Sequence, residues 1–295
     1  MGEYRWLTWE PLDEGTIVRI LLNRPETRNA QSRGMLVELG EAFREAETDD
    51  KVRVVILGGA GKMFSSGHDM GSKEAMEEYN GPNRHPTAMG DGATREGLER
   101  RMLPEWHYFF ENTRRWRDLR KITIAQVHGP VYAAGLMLMW ACDLICAADD
   151  VTFADVTGAR LGMCGVEYFA HPWEFGPRKT KELMLTGDSI DVEEAFRLGM
   201  VNKVFPAGAL ADQTLAFARR VAKLPTVTAL LVKEAVNQSQ DSMGFHNALN
   251  ACFSLHQLNH AHWAELTGGW VGTPEYGVPA WGSAPPVQPA RRDEP

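Results

Sequence analysis

Two short stretches join a glycine turn to residues able to do chemistry. The first is FSSGHDM, Phe64–Met70, which follows the apolar run VRVVILGG. The second is GPVYAAGLM, beginning at Gly129, which follows ITIAQVHG. In each, a small residue stands where the chain leaves an apolar run, so a ligand can come close to main-chain N–H groups. At the start of a helix such groups lack an internal partner, and the helix dipole favours negative charge beside them. Two of them brought together could hold one developing oxyanion. On spacing alone a second reading stands beside this one, that both are tight packing turns. The side chains that could move protons near such a site are His68, Glu105, His107, Asp155 and Glu167, and Tyr168 offers a hydroxyl.

The elements that must position these residues follow from periodicity. YRWLTWE and TIVRILLNRP flank the turn PLDEG and read as a hairpin. NAQSRGMLVELGEAFREAETDD has a helical period with Met35, Leu36, Leu39 and Phe43 on one face. VRVVILGG and ITIAQVHG read as strands, AAGLMLMWACD as a buried helix, and LICAADDVTFAD as a strand or strand pair. Between Ser72 and about Arg101 the chain is polar and patternless, as a lid or mobile insert would be. LPEWHYFFENTRRWRDLRK reads as a helix with an aromatic face, and TKELMLTG and VEEAFRLGM as two more before the strand-like VNKVFP. Helices then cover Ala209–Lys223, Pro225 to about Gln240 and Gly244 to about Leu266. The expected organisation is an α/β core over residues 1–206, a helical region over 207–272, and a loose Pro/Gly-rich tail over 273–295.

Composition narrows the partners. The chain has 295 residues, 44% hydrophobic and 24% charged, with a net charge of −8. This composition suits a globular enzyme and gives no basic footprint for nucleic acid. The four cysteines form no C-x-x-C pair, which points to free thiols in a reducing compartment. No secretory signal is recognisable, and no apolar run reaches the roughly 18 residues of a membrane span. A cytoplasmic protein is expected.

The order NRPETRNA, FSSGHDM, GPVYAAGLMLMWACDLICAADDVTFA and LTGDSIDVEEAFRLGMVNKVFP resembles the crotonase family, the enoyl-CoA hydratase/isomerase superfamily. The likeness runs from about Trp6 to about Asn237. It implies an α/β fold, a crotonase-like spiral of ββα units with a helical C-terminal trimerisation region, assembled as a homotrimer or a dimer of trimers. It also implies an oxyanion hole from the backbone N–H groups of His68, after Gly67, and Ala134. The substrate implied is an acyl-CoA thioester, with coenzyme A part of the substrate and no other cofactor. Arg28 and Arg24 would lie near CoA phosphate, and Asp69 and Met70 along the pantetheine route. The activity implied is that of a lyase, enoyl-CoA hydratase.

The pattern departs from the family at the two positions where its hydratases carry glutamates. Those places hold Met137 and either Thr157 or Gly158, and methionine and glycine can neither activate water nor protonate the α-carbon. Glu167 lies where relatives that hydrolyse or dehalogenate carry a carboxylate, and His107 falls on an expected pocket-lining helix. Both are candidate replacements, against a salt-bridged Glu167 and a packed His107. With them, hydrolysis or double-bond isomerisation of an acyl-CoA rivals hydration. An acyl-CoA-binding protein that has lost the chemistry is a third reading.

Other motifs carry less. GGAGKMF lacks the spacing of a phosphate-binding loop. His256 and His260, four apart in HQLNHAHWAE, have metal-capable spacing. With no acidic residue placed as in H-E-x-x-H, a polar helix face is expected and no metal site. Met137, Met139 and Trp140 are expected to line an acyl pocket or the core.

Overall fold

The computed structural model describes residues 3–80 and 97–278. Strands β1 (Leu7–Leu12) and β2 (Ile17–Leu22) form the expected antiparallel hairpin, with Leu7 opposite Leu22 and Leu12 opposite Ile17. Helix α1 (Arg33–Thr48) begins at Ser32, whose Oγ accepts from the N–H of Met35 at 3.2 Å. That is the usual reason a serine starts a helix, because it satisfies one of the orphan donors. Its buried face includes Met35, Leu36, Leu39 and Phe43. Strand β3 (Val54–Gly59) is buried at every residue, as a parallel strand covered on both faces must be.

The polar stretch after Ser72 is not all patternless. Helix α2 (Lys73–Asn80) forms there, and its Glu78 accepts from the N–H groups of Arg33 and Gly34 at 2.8 and 3.0 Å, capping α1 from outside. The remainder of the expected lid, residues 81–96, lies outside the described residues. Helix α3 (Glu99–Glu105) runs through a π-helical turn at 106–111 into α4 (Asn112–Arg117). The helix thus begins a turn before Leu103, where the sequence pattern starts it.

Then follow β4 (Ile122–Val127), β5 (Pro130–Tyr132), α5 (Ala134–Trp140), β6 (Leu144–Ala148) and β7 (Thr152–Ala154). Helices α6 (Thr157–Leu161), α7 (His171–Phe175) and α8 (Pro177–Thr186) lead to β8 (Ile190–Asp191), α9 (Val192–Leu198) and β9 (Lys203–Phe205). The chain is helical after that: α10 (Leu210–Ala222), α11 (Thr226–Ser242) and α12 (Phe245–Thr267). A short 3-10 turn at 274–276 closes the described part of the tail.

The larger sheet has the order β1-β2-β3-β4-β6-β9, parallel from β2 onward. A small sheet, β5-β7-β8, stands apart from it. Its strands hold three residues or fewer, too short for a periodic signal, so LICAADDVTFAD divides between two sheets. Parallel strands β3 and β4 both end toward the two glycine turns. Ligands of open α/β sheets bind beyond the carboxyl ends of strands, and here those ends carry the residues singled out by their chemistry.

Candidate active site

The backbone half of the site is built by close approach. Ser65 and Val131 pair as a parallel bridge, and the N–H of Tyr132 donates to Ser65 O at 3.3 Å. This draws the turn after β3 against the turn after β4. Gly67 has φ +95°, and a Cβ there would lie 3.0 Å from Tyr132 O and 3.1 Å from the nitrogen of Ala134. Only glycine fits both that conformation and that gap. Gln31 locks the pair of turns: its Nε2 donates to Ser65 Oγ at 3.1 Å and to Ala134 O at 3.0 Å. Its main chain accepts from Asp69 N–H and donates to Gly67 O. Ala133 has φ 47°, an unusual value for a side-chain-bearing residue, and its N–H donates to Ala154 O at 3.0 Å. Among the described residues, the N–H groups of His68 and Ala134 have no acceptor.

The side-chain half comes from elsewhere in the chain. His68 Nε2 lies 3.0 Å from Glu167 Oε2, and the imidazole stacks on Phe109 with ring centres 3.6 Å apart. Among the described residues His68 Nδ1 has no hydrogen-bond partner, which leaves one ring nitrogen for a ligand or water. Glu167 is buried; burial would raise its pKa, but the charge and hydrogen bond of His68, then His256, hold it below the usual carboxylate range. Asp155 fixes the loop that delivers Glu167. Its Oδ1 accepts from the N–H and hydroxyl of Thr157, its Oδ2 accepts from Val166 N–H, and His171 sits 3.1 Å away.

A second buried cluster touches the first. Glu105, at the end of α3, faces His256 and His260 of α12, with Glu105 Oε1 3.4 Å from His260 Nε2. The imidazoles meet at 3.0 Å between their Nε2 atoms, and Glu167 Oε1 is 3.7 Å from His256 Nε2. Burial works against a charged His256, but Glu105 and Glu167 outweigh it and raise its pKa to about 9. The expectation of a polar helix face at His256 and His260 is therefore corrected. Both belong to the buried face of α12 with Phe245, Leu249, Phe253 and Trp263. The signal was present in the three- and four-residue spacing of those apolar neighbours, which places the histidines inward.

Other expected site residues fall as follows. Arg24 is buried, and its guanidinium is occupied by Asp69 at 2.8 Å, Glu74 at 3.1 Å and Ala30 O. It clamps the turn after Gly67, a correction to the expected phosphate contact. Asp69, buried with it, also accepts from the hydroxyl and N–H of Ser72, so it orders the chain rather than facing a ligand. Arg28 is exposed in left-handed conformation, its carbonyl accepting from Ser66 N–H, and Met70 is exposed beside Asp69. His107 is half-buried on the π-helical turn, where burial and Arg115 lower its pKa. Among the described residues no contact joins it to His68 or Glu167. Tyr168 points the other way, against Phe245 and toward the charge of Arg117. Met137 is buried in the core. Thr157 is tied to Asp155, and a Cβ on Gly158 would meet Met184 O at 2.8 Å.

Comparison with known proteins agrees with this fold. Residues 13–265 match the family model described as enoyl-CoA hydratase/isomerase. The chain belongs to that family and has the crotonase-like α/β fold. A Mycobacterium tuberculosis protein named as an enoyl-CoA hydratase, EchA13, is 62% identical over 296 residues, covering 99% of this chain and 93% of that one. A 4-chlorobenzoyl coenzyme A dehalogenase from Arthrobacter is 29% identical over 254 residues, covering 84% of this chain and 85% of its own. A crystal structure named as an enoyl-CoA hydratase from Mycobacterium smegmatis superposes with a TM-score of 0.80 at 37% identity, covering 91% of this chain and all of that one.

Proposed function

We propose that this chain is an acyl-CoA lyase, an enoyl-CoA hydratase, that stabilises a thioester enolate and uses Glu167, oriented by His68, as its acid–base group. The observation that carries this reading is the 3.0 Å pair between His68 and Glu167. It ties a buried carboxylate to the residue whose N–H, with that of Ala134, would hold the thioester oxygen. In hydration, Glu167 takes a proton from water as the water oxygen attacks the β-carbon. The alkene electrons move onto the thioester oxygen, where the two N–H donors stabilise them. Glu167 then returns the proton to the α-carbon. One carboxylate thus does the work shared by two glutamates in the family's hydratases. Met137 and the tightly packed Thr157–Gly158 segment leave neither of those positions able to contribute.

A single carboxylate also suits double-bond isomerisation, where one base removes a proton from one carbon and delivers it to another. That is the second reading. The scheme calls for no cofactor beyond the CoA of the substrate. Of the residues expected along CoA, Arg28 is the one we assign to phosphate, since it is exposed and Arg24 is occupied. Exposed apolar residues on α11 and α12, among them Val227, Leu231, Val236 and Leu258, support a homo-oligomer, a trimer or a dimer of trimers. Free cysteines are in keeping with a reducing, cytoplasmic setting.

The test is to incubate purified protein with crotonyl-CoA and a longer trans-2-enoyl-CoA and follow loss of the conjugated absorbance. Turnover is expected in the wild type and in His107→Ala, and none in Glu167→Gln. Turnover that survives Glu167→Gln sinks the assignment of the base. A gain of conjugation from a 3-enoyl-CoA, without hydration, selects isomerisation.

A further inference from the structure

We propose that Glu105, His256 and His260 form a binding site for a divalent transition cation of the zinc class, clamping α12 to α3. All three side chains are buried, and their ligand atoms lie within 4.8 Å of one another. The hydrogen bonds around them fix which atoms face inward. His256 Nδ1 is 2.8 Å from Gly165 O and His260 Nδ1 is 2.5 Å from Trp270 O. A carbonyl can only accept, so both Nδ1 atoms donate, and in the neutral imidazoles both Nε2 atoms carry a bare lone pair. Those lone pairs face each other at 3.0 Å. Two acceptors at that distance need a cation between them; without a metal it is the Nε2 proton of His256, whose pKa is raised, and a bound metal ion would displace it.

A proton is the competing occupant, and the third ligand separates the two. A proton shared by the imidazoles satisfies the His256–His260 edge alone. The other two edges, from Glu105 to His260 and to His256, measure 3.4 and 3.8 Å, beyond the usual hydrogen-bond range of about 2.7–3.2 Å. Around a tetrahedral Zn²⁺ with ligands about 2.0–2.1 Å away, neighbouring ligand atoms stand about 3.3 Å apart. The two Glu105 distances end on different oxygens, Oε1 toward His260 and Oε2 toward His256, and with the 3.0 Å imidazole edge they bracket that spacing, so an ion between the three side chains can reach both imidazoles and the carboxylate. The outer contacts also suit ligation: Nδ1–H bonds to carbonyls hold each imidazole in its ligating tautomer. Trp270 Nε1 and Gln257 Nε2 donate to the Glu105 oxygens at 3.0 and 2.9 Å. Glu105 keeps lone pairs for an ion. Two imidazoles, one carboxylate and an open fourth position are a zinc-type donor set.

The experiment uses tag-free protein, stripped with chelator and titrated with Zn²⁺ by calorimetry, with metal content measured after dialysis. One Zn²⁺ per chain is expected, together with a rise in the unfolding midpoint. Glu105→Gln and His260→Gln are expected to weaken binding about 100-fold or more. Stripped protein that is folded by circular dichroism and takes up no Zn²⁺ overturns the site and leaves the cluster to a shared proton. Equal uptake by wild type and by His256→Ala/His260→Ala overturns it too. Should those variants fail to fold, Co²⁺ added to wild type decides: intense tetrahedral bands support the site, and a weak six-coordinate spectrum refutes it. Acyl-CoA turnover measured on the same stripped protein tests the proposed function separately, since neither result requires the other.

Discussion

The two halves of the candidate site are made in opposite ways. The proposed oxyanion half is main chain: two turns beyond the ends of β3 and β4, pressed together by Gly67, Gly135 and Gln31. The acid–base half is side chain. His68, Glu167, Phe109 and Glu105 come from three separate stretches, and His256 and His260 arrive from the last helix. Main-chain donors tolerate unusual side chains at their own positions, so His68 and Ala134 can stand where the sequence pattern varies. A side-chain group has no such freedom, and in this half the carboxylate we propose, Glu167, stands apart from Met137 and Thr157–Gly158. Chemistry can change within one fold because main-chain donors do not depend on residue type: His68 would lend its N–H to one half and its side chain to the other, and only the second use requires a histidine.

Replacing parts of each half should sharpen this contrast. The largest effect is expected from Glu167→Gln, which keeps size and hydrogen bonding but removes the base. Turnover should fall about 10²–10⁴-fold, with acyl-CoA affinity by calorimetry little changed. Gly67→Ala attacks the other half. A methyl group there meets Tyr132 O and the Ala134 nitrogen in a strained backbone, so turnover should fall about 10²–10³-fold. Unlike Glu167→Gln, it should weaken acyl-CoA binding as well. If Gly67→Ala behaves like wild type, the two turns do not form an oxyanion hole.

A smaller effect, on stability alone, is expected from the clamp beneath the turn. Arg24→Ala strands the buried Asp69 carboxylate and should cost about 3 kcal/mol in urea unfolding. Asp69 is held below the usual carboxylate range, with burial opposed by hydrogen bonds from Ser72 and Arg24. An unchanged midpoint would mean the pair is replaceable by water. The smallest effect lies away from both halves, at Glu174, whose carboxyl burial raises to about 7. Its folded pKa lies above the unfolded value near 4.5, so the folded state binds more protons between those values. Its contribution to stability therefore falls as pH rises from about 4.5 to 7, and Glu174→Gln should gain on the order of 1 kcal/mol above pH 7 and nothing below pH 4. A gain equal at both ends of the range would show that ionisation of Glu174 is not the cause.

What could be read from the sequence follows the same division. The hairpin, β3, β4 and the C-terminal helices were legible because each repeats its own period over six or more residues. The glycine turns were legible because Gly67 and Ala133–Gly135 are local signals beside strands. Glu167 and His68 were each visible as candidates, but no sequence rule pairs residues 99 positions apart. Arg24 looked available for phosphate because Asp69, its buried partner, is 45 residues away. His256 and His260 looked like a polar face because their acidic neighbour, Glu105, is supplied by α3 rather than by their own helix. Strands β5 and β8 were too short to show a period at all.

The most direct measurement is exchange of α-protons. A saturated acyl-CoA such as butyryl-CoA would be incubated with enzyme in deuterium oxide, and loss of the α-proton signal followed by nuclear magnetic resonance. An enolate held by His68 and Ala134 N–H, with Glu167 moving the proton, predicts exchange in wild type. It predicts retained exchange in His107→Ala and none above background in Glu167→Gln. Exchange that persists in Glu167→Gln, or is absent from a wild-type enzyme that binds the thioester, would contradict the pairing of this carboxylate with this oxyanion hole.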